Sequence, residues 1–341
     1  MVSPAPRVVG VDLARGLAII GMFVAHAVPR PDEAELLVDG RSSILFATLA
    51  GVSLGIMTGS TSPVSGGRRS DRVVSIVLRA LVLFVLGITL STLGSGIAII
   101  LDYYAVMFLL IVPLLFLPRW VLAVLAVIIV IAAPAVSATV PEPTTSTAPL
   151  TYILERYLFT GYYPALDWLP LLLAGLIAAR SGLTSAMTQV AMIVLGALVS
   201  VLGYGGAGLL PGITAEAHSS TTAEILGSGG LAIAVIGLCL WLTSTERATV
   251  GRVIRLVLRP VSAIGAMALT VYTLQILTLA VFAELRDTTV GAVQYPGWPL
   301  LIGMTIVSLI FATVWQRYLG RGPFERMLGR LTRAPQGRRA A

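Results

Sequence analysis

Residues 11–28 read VDLARGLAIIGMFVAHAV, and the reading of this stretch decides the fold. Eighteen residues in a helix extend about 27 Å, close to the roughly 30 Å of a bilayer's hydrocarbon core. Asp12 and Arg15 stand at its start, and Pro29, Arg30 and Pro31 follow where a signal peptide would carry a small-residue cleavage site. The stretch therefore reads as a retained membrane span. The rest of the chain agrees: of 341 residues, 57% are hydrophobic and 11% charged, with a mean hydropathy of +0.93. A soluble domain carries about 25% charge to cover its surface.

Ten runs are apolar enough to be spans: 13–29, 44–59, 73–94, 97–117, 120–140, 165–179, 186–205, 225–243, 261–283 and 298–316. Glycines at 94 and 96 make the third and fourth a hairpin. The expected fold is all-α, a polytopic integral membrane protein of about ten transmembrane helices with both termini cytoplasmic. Arginine placement sets that orientation, because short cytoplasmic loops collect positive charge. With the N-terminus inside, 17 of the 23 arginines fall on inside segments and only Arg30, Arg41, Arg156 and Arg286 outside, while Asp32, Glu33, Glu35, Asp39, Glu155, Asp167 and Glu216 fall outside. The net charge of +7 is thereby spread over loop ends, which excludes a nucleic-acid surface. Residues 1–316 form the membrane domain and 317–341 a basic cytoplasmic tail. In that tail most of Arg317, Arg321, Arg326, Arg330 and Arg333 lie near one helical face, with Phe324, Met327, Leu328 and Leu331 available to the other. This pattern suits an interfacial helix on anionic lipid and equally a positive-inside stop. A faint internal echo, 85–94 against 194–203, matches at 6 of 10 positions, and the preceding spans share Leu-Ala-Gly at 49–51 and 173–175.

Ionisable residues within spans are the default site candidates, because hydrocarbon tolerates them only beside a partner or cavity. In the first span, Arg15 and His26 are 11 residues apart, about 16 Å along nearly the same helical face. They read either as a reactive pair or as a charge anchor and a helix-end histidine. In the fourth span Asp102, Tyr103 and Tyr104 lie at a depth similar to His26. Asp102 paired with His26 would leave the imidazole as a general base; Arg79 is the less well matched partner. The loop before the sixth span, ERYLFTGYYPALDWLP at 155–170, gathers Tyr162, Tyr163, Asp167 and Trp168. These suit sugar stacking or an interfacial aromatic belt. His218, in a polar loop, could reach over the mouth, though a lone loop histidine reads first as solvated. With two histidines and the single Cys239, no histidine or thiolate metal set is expected.

The segments VDLARGLAIIGMFVAHAV (11–28), DGRSSILFATLAGVSLGIMTG (39–59), LDYYAV (101–106), YPALDWLPLLLAGL (163–176), GAMALTVYTLQIL (265–277) and GPFERMLGRLTR (322–333) resemble a known group. It comprises bacterial membrane proteins related to the heparan-alpha-glucosaminide N-acetyltransferase catalytic domain, including the YeiB-like family. The resemblance implies a transmembrane acyltransferase that takes acyl-CoA or acetyl-CoA as co-substrate on the cytoplasmic side, without a metal. The acceptor would be a hydroxyl or amine, here of an envelope glycan or glycolipid. Arginine, ten residues, then histidine also resembles the first-helix motif of the broader membrane acyltransferase superfamily. There the histidine is the base and the arginine lies along the donor path, roles that carry over to His26 and Arg15. The acetyltransferase branch places a further histidine in the first outer loop, where this chain has RPDEAELLVDG (30–40) and none.

Two functions follow. In an acyltransferase of the bacterial plasma membrane, His26 oriented by Asp102 takes the acceptor proton, and a Tyr103 or Tyr104 hydroxyl helps the oxyanion. Arg15 with Arg68, Arg69 and Arg72 meets the CoA phosphates, and Tyr162, Tyr163, Asp167 and Trp168 contact the acceptor. In a transporter or non-catalytic lipid-binding protein, Asp102, His26 and Arg15 form a relay. Membrane lipids are partners in either case, nucleic acid in neither, and homodimer formation is open.

Overall fold

The structure, a computed structural model, describes residues 7–28, 35–144, 147–209, 213–244, 250–284 and 297–332. Arg30, Asp32, Glu33, Arg247, Arg286, Arg333, Arg338 and Arg339 of the charge pattern lie outside them. Among the described residues there are helices and no strand. In chain order they are α1 (Val9–Ala27), α2 (Arg41–Met57), α3 (Gly67–Ser91), α4 (Leu101–Ile111), α5 (Arg119–Ser137), α6 (Pro149–Leu158) and α7 (Ala165–Ser181). The second half holds α8 (Ala186–Leu209), α9 (Thr222–Leu242), α10 (Val250–Val257), α11 (Arg259–Ala266), α12 (Ala268–Glu284), α13 (Trp298–Tyr318) and α14 (Pro323–Leu331).

Helices α1, α3, α5, α8, α9 and α13 are long and apolar enough to cross a membrane, and the chain is a polytopic membrane protein. The expected span 261–283 is broken: α11 and α12 meet at Met267 with a bend of 84°. The expected span 97–117 is a short apolar helix, α4, ending in a 3-10 turn at Val112–Leu114 that contains Pro113. The segment before α7, read as a loop, holds the separate helix α6.

Exposure separates the outer helices from the inner ones. On α3, α5, α8 and α13 the apolar side chains Val85, Ile131, Leu202 and Val307 are all more than 60% exposed, as a lipid-facing surface requires. Packing inside rests on small residues, because apolar side chains gain little by leaving lipid and close backbone approach supplies the attraction. The two Leu-Ala-Gly segments meet face to face: a Cβ on Gly51 would strike the Leu172 carbonyl, and one on Gly175 the Thr48 carbonyl. The α1–α11 contact is equally close, Gly16 lying on the Val261 carbonyl and Gly265 on that of Asp12.

Arg180, counted above as a positive-inside anchor, is 7% exposed and ties helix ends together. Its guanidinium donates to the Ser60 carbonyl (2.5 Å), the Thr58 hydroxyl (2.7 Å) and the Leu115 carbonyl (2.8 Å). It thus serves carbonyls at the ends of α2 and α4 that no helix can satisfy.

The GPFE segment explains the broken helix. The N–H groups that open α12 have no preceding turn to bond, and a bare N–H in a membrane protein is costly. Glu325 on α14 supplies the acceptor: its carboxylate takes the Thr270 N–H (3.1 Å) and the Thr270 hydroxyl (2.5 Å). The Thr270 hydroxyl oxygen in turn accepts from the Phe324 N–H at 3.2 Å. Gly322 is needed beside it, since a Cβ there would meet the Glu325 carboxylate. The tail is therefore docked on the bundle, with Leu328 buried and Leu331 56% exposed.

Candidate functional site

Helix α1 runs between two cavities, and its one polar face serves both. The larger, about 710 Å³, opens at the His26 end and is lined by His26, Ser43, Asp39, Glu216, Tyr163 and His218 among others. The smaller, about 360 Å³, lies at the Arg15 end against Arg79, Ser53, Tyr104, Tyr272 and Glu325, with apolar side chains on its remaining walls. Between them, the Tyr104 hydroxyl of the second cavity points at the Ser43 carbonyl of the first at 3.4 Å.

His26 does not take Asp102 as its partner. Its Nδ1 faces the side-chain amide of Gln275, on α12, at 2.7 Å, and Gln275 is 2% exposed. Asp102 is turned the other way, where one carboxylate oxygen accepts from the Tyr157 hydroxyl at 2.9 Å. Helix α6 delivers Tyr157 to it. For Nε2 of His26 to act as a base, Nδ1 must carry the proton and donate it to the Gln275 oxygen. Turning the amide by half a rotation achieves this without changing its shape.

Tyr103 and Tyr104 part company. Tyr104 lines the Arg15 cavity and stacks on Phe46 at 5.9 Å. Tyr103 packs on Tyr157 (4.9 Å) and Tyr163 (5.7 Å) and lines neither cavity. Of the arginines expected at the donor end, only Arg15 lines either of these two cavities. It donates to Asp12 (2.9 Å) and to the Ser53 hydroxyl (3.0 Å). Arg68, Arg69 and Arg72 are exposed on the first turns of α3, with Arg69 over the Phe116 ring at 4.2 Å.

The aromatic group stays together and gains a member that the sequence reading left in solvent. The His218 ring lies against Tyr162 (4.8 Å), Tyr163 (5.3 Å) and Trp168 (6.2 Å, interplanar angle 8°). Tyr162 and Tyr163 line the cavity, whereas Trp168 and Asp167 are buried behind them, Asp167 accepting from Ser137 at 3.1 Å. The local cause is a capping motif. Thr221 accepts from the Glu224 N–H (3.0 Å) at the start of α9, and the buried Glu224 carboxylate reaches back to the N–H groups of Ser220 and His218, both at 2.7 Å. This holds His218 at φ +62° with its ring turned inward. Burial pulls that imidazole below the ordinary histidine range, opposed by the Tyr162 carbonyl and the Asp39 charge. Both histidines of the chain thus line one cavity. The Thr-x-x-Glu spacing at 221–224 was the available sequence signal. Gln275, an amide within the apolar run YTLQIL, was another. Among the described residues no group of three or more metal-ligating side chains is present.

Residues 174–335 match a family model described as a protein of unknown function (DUF418). No curated protein matches the chain. Residues 7–207 match the model for the heparan-alpha-glucosaminide N-acetyltransferase catalytic domain, which takes in α1, α2, α4, the Arg15 and His26 pair and the aromatic group up to Trp168. By that match, over more than half its length, the chain belongs to the heparan-alpha-glucosaminide N-acetyltransferase catalytic family.

Proposed function

We propose that the protein moves an acyl group across the membrane, from a coenzyme A thioester at the Arg15 end to a hydroxyl or amine at the His26 end. The observation that carries this is the pair of cavities sharing α1 and meeting at Tyr104 and Ser43. Family membership supports membrane acyltransferase chemistry in general. The donor as acyl-CoA or acetyl-CoA and the acceptor as an envelope glycan or glycolipid are our reading. So are ten passages with both termini cytoplasmic, in the plasma membrane of a bacterium.

In this scheme Nε2 of His26, oriented through Nδ1 by Gln275, accepts the proton of the acceptor group as that group attacks the thioester carbonyl. The Tyr104 hydroxyl, at the boundary of the cavities, donates to the oxyanion of the tetrahedral intermediate. Collapse breaks the carbon–sulfur bond, and the departing thiolate takes the proton from the imidazolium. Tyr162, Tyr163 and His218 form the acceptor wall, which suits the faces of a sugar ring. One observation favours a carrier instead: a broken helix is a common element of transporter sites, and α11–α12 is one.

Purified protein incubated with radiolabelled acetyl-CoA tests the proposal. Release of free CoA that requires His26 supports transfer; pH-driven substrate movement without thioester loss overturns it. For the orientation, single cysteines at Ser65 and Ser185 should resist an impermeant thiol reagent added outside, and one at Ile213 should react.

A further inference from the structure

Among the described residues, the buried or half-buried arginines of α1, α2 and α7 have their partners built in. Arg15 has Asp12 and Ser53, Arg41 has Glu35 and Tyr204, and Arg180 has Thr58 and three carbonyls. Arg79, on α3, lines the smaller cavity with its Nε sealed from solvent and unbonded. No hydrogen bond or ion pair joins it to a described residue. Its charged neighbours do not neutralise it: Arg15 and Arg321 repel it, and the carboxylate of Glu325, the one attractive group, already accepts from Thr270. A largely buried guanidinium without a bonded counter-ion is costly, and an anion entering the cavity would relieve that cost.

We propose that Arg79 and Arg15 form an anion site in this cavity that takes a phosphate ester carried on an elongated arm. Two guanidiniums on different helices line this one cavity, and two forked donors suit the several acceptor oxygens of a phosphate better than the two of a carboxylate. The apolar remainder of the wall, including Phe46, Met57, Leu83, Phe108 and Leu328, suits an arm with few charges. Identifying that ester as the donor's rests on the acyltransferase reading; a phospholipid headgroup has the same chemistry.

The test is binding by the purified full chain, measured with CoA by calorimetry and with phosphatidylglycerol by uptake into delipidated protein. Wild type, Arg79→Gln, Arg79→Lys and the triple variant Arg68→Ala/Arg69→Ala/Arg72→Ala are compared. The expected result is a loss of CoA affinity of about tenfold or more in R79Q, a smaller loss in R79K and less than about twofold in the triple variant. Without ligand, R79Q should unfold no lower than wild type, since it removes an unpaired charge. Equal CoA binding by R79Q and wild type overturns the site while leaving the acyltransferase reading intact. A lower unfolding temperature in ligand-free R79Q, restored in R79K, also overturns it, by making Arg79 a structural cation. If wild type takes up phosphatidylglycerol through Arg79 but binds no CoA, the anion site stands and the donor reading fails. Binding of neither by wild type overturns both.

Discussion

The two ends of α1 differ in the material around them. At Arg15 the wall is largely apolar, with two arginines, Glu325 and two tyrosines set into it. At His26 it is largely polar: two imidazoles, the carboxylates of Glu35, Asp39 and Glu216, and two tyrosine rings. A site for a long, mostly uncharged arm with an anionic end needs the first composition, and a site for a hydrated, hydrogen-bonding acceptor needs the second. On the proposed function, the contrast would let one helix serve two substrates of opposite character, with the polar contact of Tyr104 and Ser43 between them.

The comparison breaks most sharply at His26. His26→Ala should lower thioester turnover by about 10²-fold to 10⁴-fold while CoA binding at the other end stays within a factor of about two, since the sites are about 16 Å apart. Equal loss of binding and turnover would show that the two ends are one site. Next in size, Gln275→Leu removes the partner of Nδ1 without adding charge. Turnover should fall about tenfold to a hundredfold, with the KM for the donor unchanged and the pH profile displaced. An unaltered pH profile would remove Gln275 from the scheme.

Glu325→Ala tests the Arg15 end through its scaffold. Loss of the acceptor that opens α12 should cost about 1–2 kcal/mol, seen as a lower unfolding temperature, and donor binding should weaken because Leu328 and α14 form part of the wall. His218 gives a pH signature at the other end. A buried imidazole with a lowered pKa stays neutral in the fold while the unfolded chain takes up a proton below about pH 6.5. Stability is therefore full above that pH and declines as pH falls toward the folded value. His218→Gln should flatten this decline; an unchanged pH dependence would place the imidazole in solvent. The smallest effect belongs to Arg68, Arg69 and Arg72, whose joint replacement by alanine should alter turnover by less than about twofold.

The membrane character, the helical class and most helix positions were legible in the sequence, because bilayer solvation acts on each residue independently of its neighbours in space. The placement of Arg15 and His26 on one helix was legible too, since helical geometry fixes their spacing. The break in α11–α12 was not, because Met267 sits in an apolar run and the new helix start is satisfied by Glu325, 55 residues away. The glycines of the two Leu-Ala-Gly segments could be seen as an echo, but their meeting could not.

What the sequence determined by itself is which ionisable side chains within the apolar runs need a partner or a cavity: Arg15, His26, Arg79 and Asp102 are costly in lipid wherever the helices go. Which of them meet was decided by tertiary packing alone. Asp102 and Gln275 were both available to His26 by chemistry. Helix α6 turned the first toward Tyr157, and α12 carried the second to the imidazole. The physical reason is range. Hydrophobicity and helical periodicity act within a few residues, whereas a hydrogen bond at 2.7 Å between α1 and α12 depends on every close contact that brings two helices 249 residues apart together.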